Sequence, residues 1–155
     1  MSSQFNHRGH ALRRGRHSES GQVYLVTAVT EQRTPLFNDP YLARALVREM
    51  RRLDDLRNVN SLAWVVMPDH LHWLIELGPA SLPSAVQRVK SRSAIAINRI
   101  TGNAGARVWQ RGFHDRALRQ DDDLIAAARY IVANPLRAGL VDRIGDYPWW
   151  DAVWL

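Results

Sequence analysis

The segment SLAWVVMPDHLHWLIEL, residues 61–77, consists of two apolar runs separated only by Pro68 and Asp69. Both runs are rich in the β-branched and aromatic residues that strands favour, and a Pro-Asp pair is typical of a tight turn. Two strands joined by so short a turn pair with each other as an antiparallel hairpin. The segment therefore predicts a β-hairpin, and the neighbouring elements indicate which kind of sheet contains it.

Alternation along the second strand of this hairpin separates two sets of side chains. One set is uniformly apolar and comprises Leu71, Trp73, Ile75 and Leu77. The other set contains two histidines and comprises His70, His72, Leu74 and Glu76. The apolar set is expected to face a layer of helices, so the histidines are expected on the opposite, open face of the sheet.

The elements on either side of the hairpin predict the fold. Residues 22–30 are typical of a strand, and residues 39–58 are typical of a helix that Asp39 caps. Three elements are predicted after the hairpin: a helix over residues 82–102, a bent or interrupted fourth strand over residues 107–119, and a third helix over residues 121–135. The order βαββαβα predicts an α+β fold, a ferredoxin-like (split βαβ) antiparallel sheet with two helices on one face and an added C-terminal helix.

The composition limits the chemistry that the chain can use. A length of 155 residues fits one domain, which we expect at residues 21–155 behind a basic N-terminal arm at residues 1–20. The absence of cysteine excludes disulfides, cysteinyl metal sites and thiol catalysis. No apolar run is long enough for a signal peptide or a membrane span, which predicts a cytoplasmic protein without a membrane partner.

The charge is strongly basic and is carried almost entirely by arginine. The net charge is +6, and Lys90 is the single lysine among the 21 basic residues. Guanidinium groups match phosphate oxygens and stack on bases, so the balance favours a phosphate-rich partner. An arginine-rich coding bias on an ordinary solvated surface is the alternative, and composition alone leaves both open.

The two histidines have two interpretations. Residues two apart on a strand have Cα atoms about 6–7 Å apart, and two imidazoles at that separation can bind one metal ion. The alternative is a polar sheet face without a metal. Tyr130 and Asn134 lie one helical turn apart on the third helix and can add a hydroxyl and an amide oxygen to the same site. In isolation, the alternatives are that Tyr130 is a half-buried aromatic anchor and that Asn134 is a helix-ending amide.

Several motifs together resemble a known family. HLH at residues 70–72 is similar to the histidine–hydrophobe–histidine motif of the HUH single-strand endonucleases, and YIVANPLRAGLV at residues 130–141 is similar to the tyrosine motif of the REP-associated tyrosine transposases. The segments LFNDP, VWQRGFHDRAL and DYPWW occur in the family's order, so the resemblance spans roughly residues 22–150. The family has a ferredoxin-like core, in agreement with the predicted order of elements.

The resemblance implies a site and a reaction. It implies that His70, His72 and Asn134 bind a divalent cation, Mg²⁺ or Mn²⁺, and that Tyr130 is the nucleophile that forms a 5′-phosphotyrosine link to single-stranded DNA at a REP hairpin. His114 is an extra imidazole without a counterpart in the motif. The location implied is a bacterial cytoplasm, with the protein on the nucleoid when it is bound to DNA.

Basic and aromatic residues are candidates for DNA contacts. The candidate DNA-binding residues are Arg8, Arg13, Arg14, Arg16, Lys90, Arg92, Arg111 and Arg116. Trp109 or Phe113 can stack on a base, with core packing as the alternative. The connection LRQDDD before the third helix is short, which predicts a monomer in which Tyr130 works with the histidines of its own chain.

Three other functions compete with this interpretation. A non-catalytic ferredoxin-like module that binds single-stranded DNA or RNA would place aromatic residues on the sheet face, where this chain has histidines. A replication or mobilisation nuclease with HUH chemistry usually carries further domains. A scaffold or repressor that has lost catalysis would not need His70, His72 and Tyr130 together.

Overall fold

The computed structural model describes residues 21–119 and 121–154 of the chain. The elements are β1 Val23–Val29, α1 Pro40–Asp55, β2 Val59–Met67, β3 His70–Leu77, α2 Leu82–Thr101, β4 His114–Leu118, α3 Asp121–Val132, α4 Asn134–Arg137 and β5 Trp150–Ala152. The predicted order βαββαβα is confirmed up to α3, and the structure adds α4 and β5. The predicted basic arm at residues 1–20 lies outside the described residues.

The helix boundaries follow the expected capping chemistry. The Asp39 carboxylate accepts a hydrogen bond from the backbone N–H of Tyr41 at 2.9 Å, as the predicted cap of α1 requires. α2 begins at a Ser81 cap and ends at Gly102, whose φ of 75° is readily adopted only by glycine. These caps fix where the two helices start and stop.

The five strands form one antiparallel sheet in the order β4-β1-β3-β2-β5. β3 is central and pairs with β1 on one side and β2 on the other. The β2–β3 hairpin has the predicted two-residue turn, because Met67 pairs with His70 across Pro68 and Asp69. The first four strands have the ferredoxin-like arrangement that the sequence predicts, and β5 extends the sheet at the edge beside β2.

One face of the sheet packs against α1 and α2. The predicted apolar set of β3 is buried there, with exposed fractions of 2% for Leu71, 1% for Trp73, 0% for Ile75 and 3% for Leu77. Leu46 and Met50 of α1 and Val86 of α2 complete this core. We call this surface the closed face.

The opposite face, which we call the histidine face, carries its own cover. α3 packs on it through Ala127, Ala128, Ile131 and Val132, against Val65 and Leu74 of the sheet. The expectation that the histidines lie opposite the apolar set of β3 is confirmed. The expectation that their face is open is wrong over much of its area, because the apolar residues of α3 and of the strands beneath it require mutual burial.

The C-terminal tryptophans, whose location the sequence left open, lie along the edge of the sheet. Trp150 starts β5, and its indole N–H donates to the carbonyl of Ile144 at 3.0 Å. The Tyr147 hydroxyl donates to the carbonyl of Val66 at 2.6 Å, and burial raises its pKa to about 12. No helix in the described part of the chain is long and apolar enough to cross a membrane.

Candidate active site

The two histidines lie side by side at the start of β3, where the hairpin turn delivers them to the histidine face. Their ring centroids are 4.8 Å apart and the ring planes meet at 82°. Strand pairing places Val29 of β1 opposite His70 and Thr27 opposite His72. Both imidazoles therefore occupy positions that the central strand of the sheet fixes.

Asp69 in the hairpin turn holds His70. Its Oδ1 lies 2.7 Å from His70 Nδ1, and its Oδ2 accepts a hydrogen bond from Arg33 Nη1 at 3.1 Å. Burial alone would raise the pKa of Asp69, but the hydrogen bonds with His70 and Arg33 outweigh it and the net pKa is below the usual value. An ionised carboxylate only accepts hydrogen bonds, so Nδ1 of His70 carries the proton and Nε2 is the nitrogen that can bind a metal.

The Thr27 hydroxyl is the hydrogen-bond partner of His72. Its hydroxyl oxygen lies 2.9 Å from His72 Nδ1 across the β1–β3 pair. Burial, followed by the charges of His70 and Arg137, lowers the pKa of His72 to about 4. The imidazole is therefore neutral near pH 7, which is the form that binds metal ions.

Tyr130 and Asn134 lie on two different helices. Pro135 lacks an N–H and its ring clashes with the helix before it, so α3 ends at Val132 and Asn134 begins α4. The prediction that Asn134 terminates the same helix as Tyr130 is therefore wrong, because a short break at Ala133 separates the two helices. Tyr130 is 59% exposed, so its ring is accessible at the end of α3.

Arg137 joins these two residues. One guanidinium nitrogen, Nη2, donates to the Tyr130 carbonyl at 2.7 Å and to Asn134 Oδ1 at 3.0 Å. The guanidinium carbon also lies 3.8 Å from the centroid of the Tyr130 ring, in cation–π contact. The charge of Arg137 contributes to the lowered pKa of His72, so this guanidinium lies near enough to the histidine pair for its charge to act there.

The donor set is compatible with a divalent cation. Within residues 21–119 and 121–154, no three His, Asp or Glu side chains come together as a metal site, and the amide of Asn134 is the candidate third ligand there. The Asn134 amide is buried at Nδ2 without a hydrogen-bond partner in the described residues. Two imidazoles with anchored Nδ1 atoms and one amide oxygen suit Mn²⁺ or Mg²⁺, with the remaining positions left to water or phosphate oxygen.

Lys90, a predicted DNA contact, is placed differently. It is 9% exposed, and its ammonium donates to the carbonyls of Gln110 at 2.7 Å and Gly112 at 2.6 Å. Its charge holds the loop before β4, which argues against the predicted contact between Lys90 and DNA. The arm residues Arg8, Arg13, Arg14 and Arg16 lie outside the described residues.

The remaining predicted contacts lie in two places. Arg92 is exposed on α2, in the helix layer on the far side of the sheet from the histidines. Arg111 is exposed in the loop that Lys90 holds, and Arg116 is exposed on β4 opposite Leu25. Since Leu118 of β4 is buried on the histidine face, alternation places Arg116 and His114 on that face too.

The two candidate stacking aromatics pack against the closed face. Trp109 is 5% exposed, contacts the Phe37 ring at 5.6 Å and donates to Ser93 Oγ at 3.0 Å. Phe113 is partly buried against the same core. Both residues therefore pack in the core, which was the alternative to stacking on a base.

Three residues of the site escaped prediction. Asp69 directly precedes His70 and could have been found as a carboxylate partner from that position alone. Arg137 lies three residues after Asn134 and seven after Tyr130, a helical spacing that brings side chains together. Thr27 could not be found, because its contact with His72 depends on a strand register that the sequence does not state.

Comparisons with known proteins agree with this architecture. The REP-associated tyrosine transposase of Escherichia coli (strain K12) is 27% identical over 135 residues, which cover 84% of this chain and 75% of that protein. A solved REP-associated tyrosine transposase, bound to a REP hairpin, has the same fold with a TM-score of 0.71 at 24% identity, over 87% of this chain and 79% of the other. Residues 18–134 match the family described as IS200-like transposases. The chain therefore belongs to the IS200-like transposase family, whose members cleave DNA.

Proposed function

We propose that this protein is a metal-dependent endonuclease and strand transferase that acts on single-stranded DNA at REP hairpins through a covalent 5′-phosphotyrosine intermediate. The observation that carries the proposal is the pair of adjacent imidazoles whose Nδ1 atoms are held by Asp69 and Thr27. Such anchoring is typical of histidines that bind metals through Nε2. The named relatives support REP hairpins as the target, and enzymes of this family generally depend on a metal.

The roles follow from the chemistry of each side chain. His70, His72 and Asn134 would hold the cation, which when bound polarises the scissile phosphate and offsets the charge that develops on it. The Tyr130 hydroxyl gives up its proton and attacks the phosphorus, the bond between phosphorus and the 3′ oxygen breaks, and that oxygen takes up a proton and leaves as a 3′-hydroxyl. The phosphate stays joined to Tyr130 and to the 5′ carbon, so a 3′-hydroxyl can reverse the step without ATP.

The exposed arginines would guide the strand to the site. Arg116 shares the histidine face and Arg111 lies in the adjacent loop, so both are proposed to contact phosphates near the cut. Arg92 projects from the far side and is proposed to contact a more distant part of the hairpin, as are Arg8, Arg13, Arg14 and Arg16 of the arm. Phosphate contacts of this kind make affinity fall steeply as salt rises.

A covalent-capture experiment tests the proposal. A labelled REP-hairpin oligonucleotide is incubated with the protein and Mn²⁺ or Mg²⁺, and adducts are separated on a denaturing gel. Wild type and Tyr41→Phe, which alters an exposed tyrosine on α1, should give the adduct, whereas Tyr130→Phe should give none. An adduct of equal yield on Tyr130→Phe, or none on wild type, contradicts the mechanism.

We further propose that the site forms within one chain of a monomer. Tyr130 and the histidines would then have to be intact in the same polypeptide. Chains carrying His70→Ala and chains carrying Tyr130→Phe are mixed and assayed for cleavage. The mixture should stay inactive, and recovered cleavage would mean that a partner supplies the tyrosine.

A further inference from the structure

Arg137 stands at the junction of the nucleophile and the third proposed metal ligand, and no role has been assigned to it. A single nitrogen, Nη2, donates to both the Tyr130 carbonyl and Asn134 Oδ1, at 2.7 and 3.0 Å. The guanidinium plane covers the Tyr130 ring at 3.8 Å. One side chain thus restrains both residues at once.

This arrangement is incompatible with a cation at Asn134. A guanidinium hydrogen-bonded to Oδ1 would lie next to a divalent ion on the same oxygen, and the like charges would repel strongly in a partly buried site. The Asn134 Nδ2 is buried without a hydrogen-bond partner in the part of the chain that the structure describes. A buried amide without a hydrogen-bond partner is energetically costly. Asn134 should therefore adopt a different, more stable arrangement when all ligands are bound.

Arg137 is able to leave its position. It is exposed to solvent, and Nη2 makes both of the bonds described above; within residues 21–119 and 121–154 no hydrogen bond from Nε or Nη1 is found, so both nitrogens can bind a phosphate. A phosphate is a better partner for a guanidinium fork than a neutral amide, because both charge and planar geometry match. An incoming DNA phosphate can therefore compete for this side chain.

We propose that Arg137 is a phosphate-responsive latch: without DNA it holds Tyr130 and Asn134 away from their catalytic positions, and a phosphate of the bound strand draws it off and frees Asn134 Oδ1 for the metal. The inference rests on the proposed function and deepens it. It makes metal binding and DNA binding mutually supportive, since each is favoured by the same movement. Arg137 is in this sense a positioning residue.

Metal binding without DNA tests the latch. Mn²⁺ is titrated into the metal-free full chain and followed by electron paramagnetic resonance, for wild type, Arg137→Gln and the control Arg129→Gln. Arg129→Gln removes the same charge one residue before Tyr130, from an exposed side chain on α3. Opening the latch should tighten Mn²⁺ binding by roughly 3- to 10-fold in Arg137→Gln and leave the control unchanged.

DNA binding supplies the second readout. Arg137→Gln should weaken affinity for the REP hairpin by roughly tenfold, and Arg137→Lys, which keeps the charge, should recover part of it. A purely structural Arg137 would instead give weaker Mn²⁺ binding together with a lower unfolding temperature. Unchanged or weaker Mn²⁺ binding in Arg137→Gln overturns the latch alone, whereas no Mn²⁺ binding by wild type overturns the metal site and the latch with it.

Discussion

The two faces of the sheet differ in how completely they are covered. The closed face carries the larger apolar core, in which the indole N–H of Trp73 donates to Ser61 Oγ at 2.8 Å. On the histidine face α3 supplies the helical cover, which ends near the buried Ile131 and Val132. Beyond the end of α3, the polar residues Asn134, His70 and His72 follow. The comparison supports the proposed site at the end of α3, where the helical cover of the histidine face stops.

Removing either histidine should have the largest effect, and it should reduce cleavage without unfolding the protein. Loss of the metal forfeits several kcal/mol of charge stabilisation, so cleavage by His70→Ala or His72→Ala should fall by roughly 10³-fold. Single-turnover cleavage of a labelled hairpin measures the loss. His114→Ala alters an exposed imidazole on the edge strand and should cleave normally. If the circular dichroism of the histidine variants shows unfolding, the two faces do not separate chemistry from folding in this way.

A substitution on the closed face should instead lower the stability of the fold. Trp73 is 1% exposed, and Trp73→Ala should lower the free energy of unfolding by about 3–5 kcal/mol because of the lost burial and the cavity left behind. Urea denaturation measures this, with Ile95→Ala on the exposed side of α2 expected within about 0.5 kcal/mol of wild type. A Trp73→Ala protein as stable as Ile95→Ala would show that the closed face does not hold the fold.

The closed face is also the part of the molecule that the sequence predicts best. Alternation in residues 70–77 assigns each β3 side chain to a face, because the strand period of two leaves no other choice. Helix caps at Asp39 and Gly102 are equally local signals. The cover of the histidine face is harder to predict, because the packing of α3 on the sheet is a long-range contact that no local pattern encodes.

The residues of the candidate site also differ in how well the sequence predicts them. His70, His72, Tyr130 and Asn134 are recognisable from motifs, and Asp69 and Arg137 from their spacing to those residues. The Thr27 contact depends on strand register, and the burial of Lys90 depends on how the loop before β4 folds against α2. These are consequences of tertiary structure, so residue type alone did not reveal that Lys90 is buried.

Acid should destabilise the metal-free protein through His72. Its pKa is about 4 in the fold and 6.5 without perturbation, so the unfolded chain takes up the proton first as pH falls. The stability that the neutral imidazole contributes is therefore complete above about pH 6.5 and is lost as pH falls toward 4, by up to about 3 kcal/mol. Urea denaturation in EDTA across this range measures the slope.

Two variants identify the group responsible for that slope. His72→Gln should flatten the loss of stability between pH 6.5 and 4, since the titrating group is gone. His114→Gln, on the exposed edge strand, should retain it. If the unfolding free energy of His72→Gln falls with pH as steeply as that of wild type, another group takes up the proton. A buried, neutral histidine would then no longer distinguish the histidine face from the closed face.

Asp69→Asn should produce the smallest effect, a loss of preorganisation rather than of a ligand. The amide can still accept from His70 Nδ1, but it lacks the charge that fixes the tautomer and makes Nε2 more basic, so Mn²⁺ affinity should fall about 10- to 100-fold. Calorimetric titration measures it against Asp142→Asn, an exposed carboxylate in the C-terminal segment. Unchanged affinity would leave Asp69 as a turn residue held by Arg33, and the histidine face would then differ from the closed face in polarity but not in how firmly its ligands are oriented.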